Sequence, residues 1–438
     1  MGFIPVATLG YRPKTLTRLL AKAPSETGRR PARAQPTGRG RLDVPAIDGF
    51  RGLAVLWIVL GHCWNELGGK VPLDDGPLRN IFVSSYMGVD MLFIVSGFVL
   101  FLPAVMDGTL GDLGAYARRR AARIVPAFWA AVLVSFVVSM VVDAKRVGPA
   151  AWLSHALFLH GEAHHHEQMG WGVNGALWTM SVEVMFYAAL PFVASWYKRR
   201  PFFGLVLAFA GAELWHLAAL KLPLILDAAG MSWASTSDAQ LRMALAFPTY
   251  LPQFAIGMTA AWVYVRFREH RDALKPHAVL VQIAAFTGAV VVAYMRGWEG
   301  ANDRSGLLDH WVKTGDRTFF YGMLVLATAL AASAAQWPVR NAVSRFLGTV
   351  CYGTYLVHLP LIKLLRPALG LDKGTTSNLD LLLLAAVTAP AAVDLGWLSY
   401  RFLEEPFRRW ARRRRAAEPP RHTPRTRWPE TAALASAS

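Results

Sequence analysis

The chain has 438 residues, of which 54% are apolar and only 17% charged, a balance that excludes an ordinary soluble globular domain. Its net charge of +17 would suit a nucleic-acid partner, but the basic residues fall between apolar runs and in two tails, so they read as membrane-topology signals and nucleic acid is excluded. The two cysteines, Cys63 and Cys351, both lie inside apolar runs, which excludes a disulfide framework; Cys63 reads as a small buried filler rather than an acyl carrier.

Residues 1–45 are rich in Arg, Pro, Gly and Ser and lack periodicity, which predicts a disordered basic cytosolic tail. The short apolar start has no basic residue before it and is too brief for a signal peptide. Ten apolar segments follow, at 47–65, 81–103, 124–142, 174–195, 202–220, 244–265, 278–295, 318–335, 346–362 and 379–400. Each approaches the ~20 residues that cross a bilayer. A shorter run, 151–160, is too brief to span and is expected at the interface. The chain then closes with a basic, Pro- and Ala-rich cytosolic tail, 411–438. The fold class predicted is all-α: one polytopic membrane bundle over 46–410, of about ten transmembrane helices, with both termini cytosolic.

Loop charges agree with that count. With the N-terminus inside, the cytosolic segments hold 33 of the 46 Lys and Arg, and four of the five external loops carry two or more acids. Ten spans therefore satisfy the positive-inside rule. One span more or fewer would invert the pattern downstream.

Ionisable residues inside membrane helices are expensive, and each marks a candidate site. His62 lies eleven residues beyond Arg51, or ~16 Å into the core from the cytosolic end of the first segment. Glu183 and Asp90 each lie nine residues into segments entering from outside, ~14 Å deep. A base and two carboxylates are thus expected at one depth, with His358 near it. For Asp90, His358, Glu213, His216 and Asp394, helix-packing hydrogen bonds are the first expectation. At the cytosolic edge Arg118, Arg119, Arg120 and Arg123 precede the third segment. Arg120 and Arg123 share a helical face and, with Arg51, either hold phosphates through forked hydrogen bonds or serve only as topology-setting basic residues. The external loop 160–173 carries His160, His164, His165 and His166 with Glu162 and Glu167; it reads as a wet loop at an acceptor mouth rather than a metal site.

Six blocks of this sequence are similar, in order, to those of one family. The run IDGFRGLAVLWIVLGH, Ile47 to His62, resembles the opening of the acyltransferase-3 membrane O-acyltransferases, in which an Arg, ten residues and a His correspond here to Arg51 and His62. GVDMLFIVSGF (Gly88 to Phe98, with Ser96), RAARIVP (Arg120 to Pro126), LWTMSVEVMFY (Leu177 to Tyr187), YGTYLVHLPL (Tyr352 to Leu361) and RFLEEPFR (Arg401 to Arg408) resemble the remaining motifs. Val184 and Met185 stand where the family commonly has Glu and Gln. The resemblance implies about ten helices in the plasma or inner membrane. It also implies a cytosolic acyl-CoA donor, most commonly acetyl-CoA, and an acceptor that is a sugar hydroxyl of an envelope glycan, glycolipid or glycosylated metabolite. Members often carry a fused extracytoplasmic esterase-like domain. The chain has no room for one, so a second step of that kind is expected to need a partner.

The predicted chemistry is direct acyl transfer without a permanently bound cofactor or metal. His62 is the general base, and Glu183 orients it or stabilises its imidazolium form. Arg51, Arg120 and Arg123 hold coenzyme A phosphates, with Asp90, Ser96 and His358 as supporting groups. The alternatives are a transporter of a small or lipid-linked substrate, for which no paired halves are visible, and a scaffold, which has no need of buried His and Glu at a common depth.

Overall fold

The computed structural model describes residues 44–69, 79–80, 82, 84–142, 148–160, 174–231, 236–299, 307–375 and 377–417. The predicted N-terminal tail up to residue 43, the end from 418 and the 161–173 part of the histidine loop lie outside them. Among the described residues every regular element is helical. In chain order these are α1 (Pro45–Glu66), α2 (Met87–Met106), α3 (Leu113–Val142), α4 (Pro149–Ala156), α5 (Trp178–Arg199), α6 (Pro201–Ala228) and α7 (Thr236–Ala244). They continue with α8 (Leu251–Phe267), α9 (Arg271–Glu299), α10 (Leu307–Leu330), α11 (Trp337–Arg340), α12 (Ala342–Ala368), α13 (Asn378–Ser399) and α14 (Glu405–Ala417).

All ten predicted apolar segments fall on helices. Among the described residues seven stretches qualify as spans by length and apolarity, where ten crossings were predicted. One of the seven, Arg242–Met295, contains both α8 and α9. The apolar part of α10, Arg317–Leu330, is shorter, and α12 is interrupted by polar residues such as Tyr352, Thr354 and His358. Phe202, Val206, Leu214 and Ile225 on α6, and Leu280, Ile283 and Phe286 on α9, stand exposed on the bundle surface. Apolar surface on that scale belongs against lipid.

Two backbone crossings fix the helices that carry the candidate site. In α2 and α8, a Cβ added at Gly97 would lie 2.3 Å from the Phe254 carbonyl oxygen, and one at Gly257 would lie 2.1 Å from that of Ile94. In α1 and α12, a Cβ at Gly348 would lie 2.0 Å from the Asp48 carbonyl oxygen. Only glycine lets membrane helices approach so closely, and van der Waals packing then holds them without a hydrophobic driving force. The crossings also set the direction of neighbours. Gly61 of α1 meets Ser85, whereas Ala54 and Ile58 meet Gly88, so α1 and α2 run antiparallel. Asp48 meets Gly348, while His62 meets His358, so α1 and α12 run parallel. After α13 the ladder slips into a π-turn over Tyr400–Glu404, next to Pro406, which has no N–H to continue an i→i−4 bond.

Candidate active site

The structure divides the predicted site residues into three clusters. The first links α1, α2 and α5. Arg51 Nη2 donates to Ser96 Oγ at 3.3 Å, and Ser96 Oγ donates to Glu183 Oε1 at 2.9 Å. The Tyr187 hydroxyl, one turn on in α5, donates to the same carboxylate oxygen. Arg120 stands with its guanidinium carbon 5.9 Å from the Tyr116 ring and 6.0 Å from the Tyr187 ring. Arg123 lies within electrostatic reach of Glu183 and of Glu404 in the π-turn. Arg51 is buried, and Arg120 and Arg123 are half-buried. A guanidinium has five N–H donors. Among the described residues, the Arg51–Ser96 contact is the single hydrogen bond made by these three arginines, and the Arg120 Nε is occluded without a partner.

The second cluster is a histidine pair. His62 Nδ1 lies 2.8 Å from His358 Nε2, with ring centroids 5.0 Å apart. His358 Nδ1 meets the Tyr355 carbonyl oxygen at 2.5 Å. His358 is 0% exposed, while His62 is partly open. Both residues occupy helices that the Gly348 crossing brings together.

The third cluster braces α2, α8 and α10. Asp90 Oδ2 pairs with Arg317 Nε at 3.0 Å, and Gln253 Nε2 donates to Asp90 Oδ1 at 2.8 Å. Arg317 also lies over the Tyr86 ring at 5.8 Å. Asp394 is exposed on α13 and takes no part in these clusters.

This arrangement corrects the expectation of one common depth. Because α1 and α2 are antiparallel and Gly61 meets Ser85, His62 is level with the Ser84–Tyr86 turn that leads into α2. Ser96, and with it Glu183, lies eleven residues further along, ~16 Å inward. Asp90 falls between the two levels. The hydrogen-bond partner of His62 is His358, and the carboxylate of Glu183 faces Ser96, Tyr187 and Arg123 instead. The error came from taking Arg51 as the cytosolic end of the first helix. α1 begins at Pro45 and ends at Glu66, so His62 lies ~25 Å along it and within about one turn of its far end.

His160 also departs from expectation. It is not at a wet mouth but is 3% exposed, with its ring stacked on His155 at 4.4 Å and its Nε2 donating to the Leu177 carbonyl at 2.7 Å. Burial, with His155 beside it, pushes its imidazole down to about 3. The left-handed Phe158, at φ 60°, makes the turn that brings the two rings together. Four partners escaped sequence reasoning. Tyr187 was readable, since it sits four residues from Glu183 on the same helical face. Glu404 lay inside the quoted block RFLEEPFR without being singled out, Gln253 carried no local signal, and Arg317 stands just before the predicted segment 318–335, where a basic residue reads as a loop charge.

Long helices with lipid-facing apolar surfaces, enclosing a histidine pair and a cationic cluster, define a multi-pass membrane protein with an internal polar site. The family profile described as "Acyltransferase domain" matches residues 44–399. The chain belongs to the acyltransferase-3 family. It is 22% identical over 389 residues to a protein of Staphylococcus aureus named putative O-acetyltransferase, covering 84% of this chain and 57% of the relative. It is 23% identical over 387 residues to the O-acetyltransferase OatA of the same species, with the same coverage of each chain. The chain thus spans little more than half the length of these curated relatives. No solved structure shows significant similarity.

Proposed function

We propose that the protein transfers an acyl group, acetyl being the first candidate, from cytosolic acyl-CoA to a hydroxyl of an envelope glycan, glycolipid or glycosylated metabolite. In this reading ten helices cross the plasma or inner membrane and both termini are cytosolic. The observation that carries the proposal is that, among the described residues, Arg51, Arg120 and Arg123 make one hydrogen bond in all, from Arg51 to Ser96, on the same bundle as a partly open histidine. Guanidinium groups so poorly provided for internally are matched by phosphate oxygens, which accept forked hydrogen bonds. The eleven helical steps of α1 from Arg51 to His62 separate the two by ~16 Å, a gap suited to an extended pantetheine arm. Phosphates at the arginines then place the thioester near His62.

The step itself needs one base. His62 Nε2 takes the proton of the acceptor hydroxyl as its oxygen attacks the thioester carbonyl carbon. The tetrahedral centre collapses, the C–S bond breaks, and the thiolate recovers the proton from His62. The products are an ester and free coenzyme A thiol. Glu183, held by Ser96 and Tyr187, keeps Arg123 in place beside the phosphates. The O-acetyltransferase names of the relatives support this reading at the level of reaction class.

The test uses purified protein in bilayer discs, acetyl-labelled acetyl-CoA and an extract of envelope glycans and lipids. Label is expected to move to the extract in an alkali-labile ester. Arg120→Ala and Arg123→Ala should each raise KM for the donor about 10- to 150-fold while sparing kcat, since phosphate contacts exist in ground and transition states alike. Label that stays on coenzyme A with every acceptor fraction contradicts the proposal.

A further inference from the structure

One backbone group settles the direction of the hydrogen bonds in the histidine pair. The Tyr355 carbonyl oxygen, 2.5 Å from His358 Nδ1, can only accept, so His358 Nδ1 carries the hydrogen. His358 is fully buried, and neither of its hydrogen-bond partners is a carboxylate. An unpaired charge there would be very costly, so the ring is neutral and its Nε2 is an acceptor. His62 Nδ1, 2.8 Å away, must therefore donate. That leaves His62 Nε2, on the opposite edge of the more accessible ring, unprotonated and without a hydrogen-bond partner among the described residues.

We infer that His358 is a positioning residue that fixes His62 in its Nδ1–H tautomer, so that Nε2 is presented to the acceptor as the base; the inference rests on the reading of His62 as that base. An isolated imidazole favours the Nε2–H tautomer, which would put a hydrogen where the base must be empty. The histidine–carboxylate arrangement of hydrolases solves the same problem with an anion. Here a second imidazole does so, and the directional signal comes from the backbone of α12. When His62 takes the acceptor proton at Nε2, its Nδ1–H bond to His358 becomes charge-assisted and strengthens. The pair thus stabilises the imidazolium while one proton is held between two rings, and a second proton is disfavoured by like-charge repulsion. His358 touches neither donor nor acceptor in this scheme.

The experiment compares His358→Leu, His358→Gln and His62→Ala in the purified full chain, with monodispersity and melting temperature as folding controls. Loss of the correct tautomer in a histidine-based site costs up to about 10⁴-fold in kcat. His358→Leu is expected to lower kcat at least 100-fold with donor KM unchanged. His358→Gln, which offers an amide oxygen to His62 Nδ1–H, should recover at least tenfold of that loss. Imidazole ¹⁵N NMR of the bilayer-embedded wild type should show His62 as the Nδ1–H tautomer, and His358→Leu should move it toward Nε2–H. A folded His358→Leu within twofold of wild-type kcat, beside a dead His62→Ala, overturns the positioning role and leaves the base intact. A glutamine variant as inactive as leucine, or a wild-type His62 found as Nε2–H, also overturns it. An active His62→Ala instead overturns the reading on which it rests.

Discussion

Ser96→Ala removes the one atom that joins Arg51 to Glu183. The hydroxyl donates to the carboxylate at 2.9 Å and accepts from the guanidinium at 3.3 Å. The first is a good charge-assisted bond and the second is long, so the first carries most of the energy. A hydrogen bond to a charged group is worth ~1.5–3 kcal/mol in soluble proteins. Interhelical bonds in membranes average ~0.6 and reach ~1.7 kcal/mol, because the unfolded helices also find partners. Ser96 is 2% exposed and water cannot replace it freely, so the upper part of that range, ~1–2 kcal/mol, applies. At ~2–4 °C per kcal/mol for large domains, the melting temperature of the purified protein should fall ~2–8 °C. Arg51, released from its anchor, should also bind the donor less well, and donor KM should rise several-fold with kcat little changed. The double variant Ser96→Ala/Tyr187→Phe strips Glu183 of both hydroxyl donors, and its loss should exceed the sum of the single effects. Melting and donor KM both equal to wild type in Ser96→Ala would refute the relay.

Gly257→Ala should prevent folding, because its methyl would meet the Ile94 carbonyl at 2.1 Å; a monodisperse, active variant on size exclusion would refute the α2–α8 crossing. Asp90→Asn leaves Arg317 without the charge it faces at 3.0 Å and should cost ~3–5 kcal/mol. Adding Arg317→Leu should restore part of that stability, as thermal melts would show. His160 has an imidazole pushed down to about 3 by burial, against an ordinary value of 6.5, so the unfolded chain binds the extra proton between those limits. Stability is complete above pH 6.5 and falls on acidification, by ~2 kcal/mol at pH 5. His160→Gln should flatten the pH-dependence of melting between pH 6.5 and 5, and an unchanged slope would count against the burial.

Periodicity and apolar length made the bundle legible, since every predicted segment became a helix. Motif spacing likewise singled out Arg51, His62, Ser96, Glu183 and His358. What could not be read was which of them meet. Depth was reckoned from Arg51 as the cytosolic edge, whereas α1 begins earlier, at Pro45, which carries His62 ~9 Å further toward the other end of the helix than expected. The His62–His358 contact spans 296 residues of sequence and depends on the parallel crossing at Gly348, which no local pattern reveals. Arg317 illustrates the same limit from the other side. It sits at the edge of an apolar run, where a topology signal and a buried ion-pair partner look alike.

The central claim is that His62 acts as the base for acyl transfer, and single-turnover kinetics of His62→Ala test it most directly. With enzyme in excess over labelled acetyl-CoA and acceptor present, the account expects transfer to slow 10²–10⁴-fold. Donor affinity and melting temperature should remain within twofold and a few degrees of wild type, because His62 lies ~16 Å from the arginines and is partly exposed. A folded His62→Ala protein that transfers the acyl group at the wild-type rate would contradict the account.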